Sequence, residues 1–217
     1  MEQDSPEPKN REHLMEVIKK MNIALIDIDR RKSKSKAQRK QPFPTLTLMK
    51  LSAWHKAKGD TVSLISPDEY LEGNMFNQYD KTYASCIFTW NKPIAERLAD
   101  AGVEVGGSGY DMGKKLPYEI EHIMPDYSLY GVDSAYGFLS RGCPRGCPFC
   151  IVAGKEGGKA YKVADLSEFW GGQKEIVICD PNILACREWD DLLQQLIDSR
   201  AWVDINQKSL ESPITGN

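Results

Sequence analysis

Three cysteines, Cys143, Cys147 and Cys150, lie in the stretch RGCPRGCPFC, spaced Cys-x3-Cys-x2-Cys and interrupted by two prolines. Thiolates are soft ligands that select iron–sulfur clusters, zinc or copper(I). A structural zinc site uses four ligands, usually as two closely spaced pairs, and a ferredoxin cluster uses four cysteines. This stretch offers three. On a four-iron cluster, three thiolates leave one iron open to a further ligand. Gly142 and Gly146 permit tight turns and close backbone approach, and Pro144 and Pro148 hold φ before any metal arrives. Phe149 is placed to shield a cluster or to pack on a flat ligand. Other readings of the same residues stay open. They are free thiols in an irregular loop, a disulfide with one thiol spare, or a zinc site completed by Cys86, Cys179 or Cys186.

The elements that must position these residues read as α/β. A buried strand is expected over NIALIDID (22–29), a helix from Pro44 to Lys58 with Leu46, Met49, Ala53 and Ala57 on one face, and strands at DTVSLIS (60–66) and KTYASCIFT (81–89). A helix over KPIAERLADAG and a strand at VEV (103–105) complete the rhythm of an open, mostly parallel, Rossmann-like sheet. No periodic element is evident from Gly106 to Asp133, which reads as a linker. A second unit then opens with the strand SAYGFLS (134–140), which runs into the cysteines, followed by a short helix at LSEFW and a strand at EIVICD (175–180). The helix REWDDLLQQLIDSR follows, with Trp189, Leu192, Leu193, Leu196 and Ile197 as its apolar stripe, and then the strand AWVDIN. The expected division is an extension at 1–20, a Rossmann-like domain at 21–125 and a second domain at 130–217. No apolar run is long enough to span a bilayer, and the polar N-terminus lacks a signal-peptide core. A cytoplasmic protein without a membrane partner is expected. The net charge of −3 argues against a protein that coats nucleic acid.

The segment CPRGCPFC resembles the signature of radical S-adenosylmethionine (radical SAM) enzymes, CxxxCxxC with an aromatic residue just before the last cysteine. The resemblance implies a [4Fe-4S] cluster on Cys143, Cys147 and Cys150, with S-adenosylmethionine bound through its amino and carboxylate groups to the open iron and Phe149 beside the adenine. It further implies a reductant such as flavodoxin or ferredoxin, and a 5′-deoxyadenosyl radical that takes a hydrogen atom from a substrate the sequence does not identify. The second unit would be the first part of a radical SAM partial (β/α) barrel. Many members hold the methionine amino end with a GGE-like ribbon after the second barrel strand. GGQ at 171–173 precedes that strand, and the matching place holds Asp180-Pro181-Asn182. Asp180 and Asn182 are therefore candidates to hydrogen-bond an ammonium group or ribose, with a plain strand-end turn as the other reading. A barrel of this family has about six β/α units, whereas residues 151–217 make room for roughly two and a half. An open parallel sheet leaves an apolar edge, so a second chain completing the barrel is an expected partner. The competing class is a non-catalytic iron–sulfur or zinc-binding module, or an inactive truncated remnant.

The N-terminal domain resembles a cobalamin-binding domain. Of the base-displacing motif D-x-H-x-x-G, the segment DIDRRK keeps Asp27 but has Asp29 at the histidine position. Histidine ligation of cobalt is thus unsupported, and cobalamin remains an open cofactor only without it. GGSGYD (106–111) follows a strand but lacks the G-x-G-x-x-G pattern, and a structural turn is the stronger reading. The seven Lys and Arg between Arg30 and Lys40 read as a solvated loop at the ligand-binding end of a parallel sheet. His13, His55 and His122 match no metal or triad spacing.

Overall fold

The computed structural model describes residues 20–30, 44–73 and 78–205. Most of the N-terminal extension with His13, the basic run beyond Arg30 and the chain from 206 onward lie outside the described residues. The apolar run after Asn22 forms β1 (Asn22–Asp27), buried at every position but the first. A strand buried on both faces belongs at the centre of a parallel sheet, and β1 lies there. It pairs in parallel with β2 (Thr61–Ile65) on one side and β3 (Lys81–Ser85) on the other, and β4 (Glu104–Gly106) adds in parallel to β3, giving the order β2-β1-β3-β4. Helices α1 (Leu46–Ala57), α2 (Pro67–Glu72) and α3 (Lys92–Asp100) connect the strands. Ile23 and Leu25 pack with Leu48 and Leu51 of α1, while Ile26 and Ala84 pack with Tyr70 of α2 and Ala95 and Leu98 of α3. The sheet is therefore covered on both faces, a Rossmann-like α/β arrangement.

Several local expectations change. The buried face of α1 is Leu48, Leu51, Ser52 and His55 with Met49, not Leu46, Ala53 and Ala57. Because α1 is enclosed by the sheet and by the chain around Ile120, Lys50 is buried as well. Helix α2 was not anticipated, although Ser66 caps it in a reciprocal box with Glu69 and Pro67 opens it. The supposed linker from Gly106 to Asp133 contains α4 (Tyr118–Glu121) and a 3-10 turn at Tyr127–Leu129. Polar contacts at a distance in sequence hold it, which is why it shows no periodicity. Asp126 accepts from Ser52 Oγ and Lys56 Nζ at 2.6 Å each, and the Tyr130 hydroxyl donates to Asp27 at 2.6 Å.

A second buried polar group ties the first sheet together. His55 is 3% exposed, with Nδ1 at 2.7 Å from Asp60 and Nε2 at 3.1 Å from the Tyr83 hydroxyl. The hydrogen bond to His55, then that from the Met21 backbone N–H, hold the Asp60 carboxyl below its ordinary value. A depressed carboxylate contributes stability that is present above its unfolded-state value and is lost as pH falls through its folded one. Urea titrations at stepped pH should therefore show wild type losing stability below about pH 4 more steeply than Asp60→Asn. Equal pH slopes would refute this assignment.

The second unit holds β5 (Ala135–Gly137), β6 (Ser140–Arg141), α5 (Val152–Glu156), β7 (Tyr161–Lys162), β8 (Glu175–Ile178), α6 (Trp189–Ser199) and β9 (Trp202–Ile205). Strands β5, β8 and β9 form a parallel sheet in that order, and β6 and β7 pair antiparallel. The strand expected over 134–140 is thus broken in two after Gly137, and LSEFW is a 3-10 turn at Leu166–Glu168 rather than a helix. The core gathers Ile176 and Ile178 of β8, Leu192 and Leu196 of α6, Leu139 and Phe169. Of the α6 stripe, Leu192 and Leu196 are buried, whereas Trp189 and Ile197 are exposed. On the open side of β9, Trp202 is 74% exposed, and an apolar groove of 450 Å³ runs between β9 and α6.

Candidate functional site

The cysteines occupy an excursion from the second sheet whose neck is clamped. Asp180, just past β8, is 2% exposed and accepts hydrogen bonds from the N–H groups of Leu139 (2.8 Å) and Ser140 (2.6 Å) and from Ser140 Oγ (2.6 Å). These bonds turn the chain out of β5 and seat β6 against β7. Gly137 is required at the turn because a Cβ there would strike the Phe169 ring at 2.4 Å. Beyond β6, Gly142 has φ of +81°, and a Cβ on it would meet the Lys159 carbonyl oxygen at 2.1 Å. The Glu156 carboxylate then closes the neck, accepting from Arg141 Nη1 at 2.7 Å and from the Gly142 N–H at 3.2 Å, while the Cys143 N–H donates to Gly157 O. The Arg141 guanidinium also lies 4.0 Å above the Phe138 ring.

The tip beyond this neck is open. All three thiols are free; Cys143 and Cys147 are half-buried, and Cys150 is exposed. A turn joins the Cys150 N–H to Cys147 O, and α5 follows at once. Phe149 is 86% exposed. The donor chemistry fits a cluster of soft-metal character: three free thiols on one loop, with the Asn182 side-chain amide donating to Cys143 Sγ at 3.8 Å. The geometry does not yet fit. Among the described residues, no three His, Cys, Asp or Glu side chains converge to hold a metal ion.

The residues read as contacts for S-adenosylmethionine have the following surroundings. Asp180 is occupied by its own chain at the neck, Asn182 faces the sulfur of Cys143, and Phe149 projects into solvent. Burial pushes the Cys179 and Cys86 thiols up to about 11, and Cys186 up from its ordinary value.

At the carboxyl edge of the first sheet, Asp29 takes no ligand-like pose. It accepts from the Ile87 N–H at 2.5 Å and from Asn91 Nδ2 at 2.7 Å, anchoring the loop that displays a stacked Phe88–Trp90 pair. Asp29→Ala should raise hydrogen exchange at the Ile87 amide about tenfold or more, since that amide loses the carboxylate that accepts its hydrogen bond. Unchanged exchange would show that the loop is held by other contacts. GGSGYD is a structural turn. A Cβ on Gly107 or Gly109 would fall 2.3–2.6 Å from backbone atoms of Cys86 and Phe88, so two chain segments lie directly against each other there.

A cleft of 740 Å³ separates the two units. Its apolar wall includes Trp54, Tyr83, Phe138 and Phe169, and its polar wall includes Arg141, Lys155 and Glu156 from the neck of the cysteine loop. Beside it Lys50 pairs with Glu121 at 3.1 Å within the first unit, and His122 Nδ1 lies 2.6 Å from Glu168 of the second. Desolvation lowers the Lys50 ammonium from its ordinary value against the opposing pull of Glu121. No model of a known protein family matches the chain, and no curated protein matches it.

Proposed function

We propose that the chain is an iron–sulfur protein of the radical SAM type, with a [4Fe-4S] cluster on Cys143, Cys147 and Cys150. The cluster would supply the electron chemistry for reductive cleavage of S-adenosylmethionine, with flavodoxin or ferredoxin as the reductant. One observation carries the reading. Three free thiols at Cys-x3-Cys-x2-Cys spacing sit on a clamped loop that leaves one parallel strand and returns to its parallel neighbour. The cluster, once bound, supplies the one-electron chemistry. The chain supplies the rest: Asp180 and Glu156 fix the neck, and Asn182 places an N–H at the sulfur of Cys143, the kind of contact that tunes a ligand. Loading requires the tip to close, and there is room for it. A Cβ on Gly146 would find no atom within 4 Å, and Cys150 is exposed.

In this proposal residues 21–125 form the Rossmann-like domain, those from 130 onward belong to the radical SAM domain, and a second chain is a candidate partner. No helix among the described residues is long and apolar enough to cross a membrane, and a cytoplasmic location belongs to the proposal. Cobalamin gains no ligand, since Asp29 is committed to the loop at 87–91. The exposed Phe149 favours one second reading, a cluster-binding module without catalysis. Anaerobic reconstitution followed by dithionite and S-adenosylmethionine separates the two. The enzyme forms 5′-deoxyadenosine over many minutes of incubation. A bound cluster that yields none leaves the module.

A further inference from the structure

The cleft between the two units contains a cation without a counter-ion. Lys155 lines the cleft from α5 and is half-buried, and none of the described carboxylates lies within ion-pair distance of its Nζ. Three of the carboxylates that line the cleft are engaged. Glu156 takes Arg141 and the Gly142 N–H, Glu121 takes Lys50 and approaches Arg141 at 3.7 Å, and Glu168 holds His122. Arg141 therefore adds a second positive group near Lys155 rather than relieving it. Desolvation lowers the Lys155 ammonium from its ordinary value; the Glu156 charge pulls it back up, and the neighbouring Arg141 charge pushes it down. A partly desolvated ammonium with no described carboxylate within ion-pair distance is suited to receive an anion. Trp54, Tyr83, Phe138 and Phe169 also line the cleft, and 740 Å³ lies in the range of small-molecule sites.

We propose that this cleft binds a small molecule with an aromatic or apolar body and one anionic head, phosphate or carboxylate, with Lys155 as the anchor of the head and Phe138 and Phe169 among the walls of the body. The site does not depend on the cysteines, so it stands or falls separately from the iron–sulfur reading.

Titration calorimetry on the full chain tests it with phenyl phosphate, benzoate, inorganic phosphate and neutral benzamide. Wild type should bind at least one aromatic anion at micromolar to millimolar concentration, and the tighter of phenyl phosphate and benzoate identifies the head. Lys155→Met should weaken that binding about tenfold or more, as expected for a lost charge-assisted hydrogen bond, while Lys155→Arg retains most of it. Cys147→Ala should leave it unchanged, which separates the cleft from the cluster. Lys155 is half-buried and unpaired, so Lys155→Met should unfold no more readily than wild type, and a circular-dichroism melt confirms that the comparison is between folded proteins. The proposal is overturned if neither aromatic anion binds wild type at millimolar concentration, if Lys155→Met binds as tightly as wild type, or if inorganic phosphate or benzamide binds as well as the aromatic anions.

Discussion

Cys147→Ala should abolish iron retention: after anaerobic reconstitution and desalting, wild type is expected to carry about four irons per chain and the variant fewer than about one. The size of the effect follows from the count of donors. A four-iron cluster held by three thiolates has no redundancy, and Cys147 lies at the centre of the loop between Cys143 and Cys150. The control is Cys186→Ala, which should load like wild type. Cys186 is 2% exposed, packs in the core of the second unit, and donates its thiol hydrogen to Glu188 at 3.2 Å. Iron and acid-labile sulfide assays read the two variants side by side, and the charge-transfer absorption of the cluster gives an independent signal. If Cys186→Ala loses iron as fully as Cys147→Ala, the ligand set is wrong. If wild type instead takes up one zinc and no iron, the loop is a zinc site.

What the sequence made legible was whatever local chemistry decides. β1 was plain because an unbroken apolar run must be buried on both faces, and α6 because its stripe is strongly periodic. The cysteine loop was plain because its spacing is local. The segment from Gly106 to Asp133 was not, because bonds to distant partners hold it: Ser52 and Lys56 reach Asp126, and Lys50 reaches Glu121. The face of α1 was misread for a related reason. Leu48 and Leu51 face the sheet, but α4 and the chain after it enclose Lys50 and Ser52 as well, so burial no longer follows one stripe. The cleft with its unpaired lysine had no sequence signal at all. Lys155 stands in a glycine- and lysine-rich stretch with no apolar periodicity, and its place in the cleft comes from residues distant in sequence.

Asp180 marks the point where the sequence reading and the structure lead to different experiments. As a contact for an ammonium group, its amide variant would fold normally and fail only in cleaving S-adenosylmethionine. The geometry predicts the opposite order of effects. The carboxylate is buried and faces three donors from Leu139 and Ser140, and burial pushes it up from its ordinary value while those donors pull it down. Alanine would leave two backbone N–H groups and a hydroxyl facing a void. Losing buried, charge-assisted bonds of this kind costs about 3–5 kcal/mol, a large part of the roughly 5–15 kcal/mol that holds an ordinary domain folded. Asp180→Ala should therefore show a urea midpoint far below wild type. Asp180→Asn should fall between them, since one amide oxygen still accepts but its NH₂ group meets the remaining donors. Because these bonds set the turn that carries the chain from β5 into the cysteine loop, iron loading should fall in the same order as stability across the three proteins. An Asp180→Asn variant with a wild-type midpoint and full iron loading, yet no 5′-deoxyadenosine, would return Asp180 to the ligand and remove it from the scaffold.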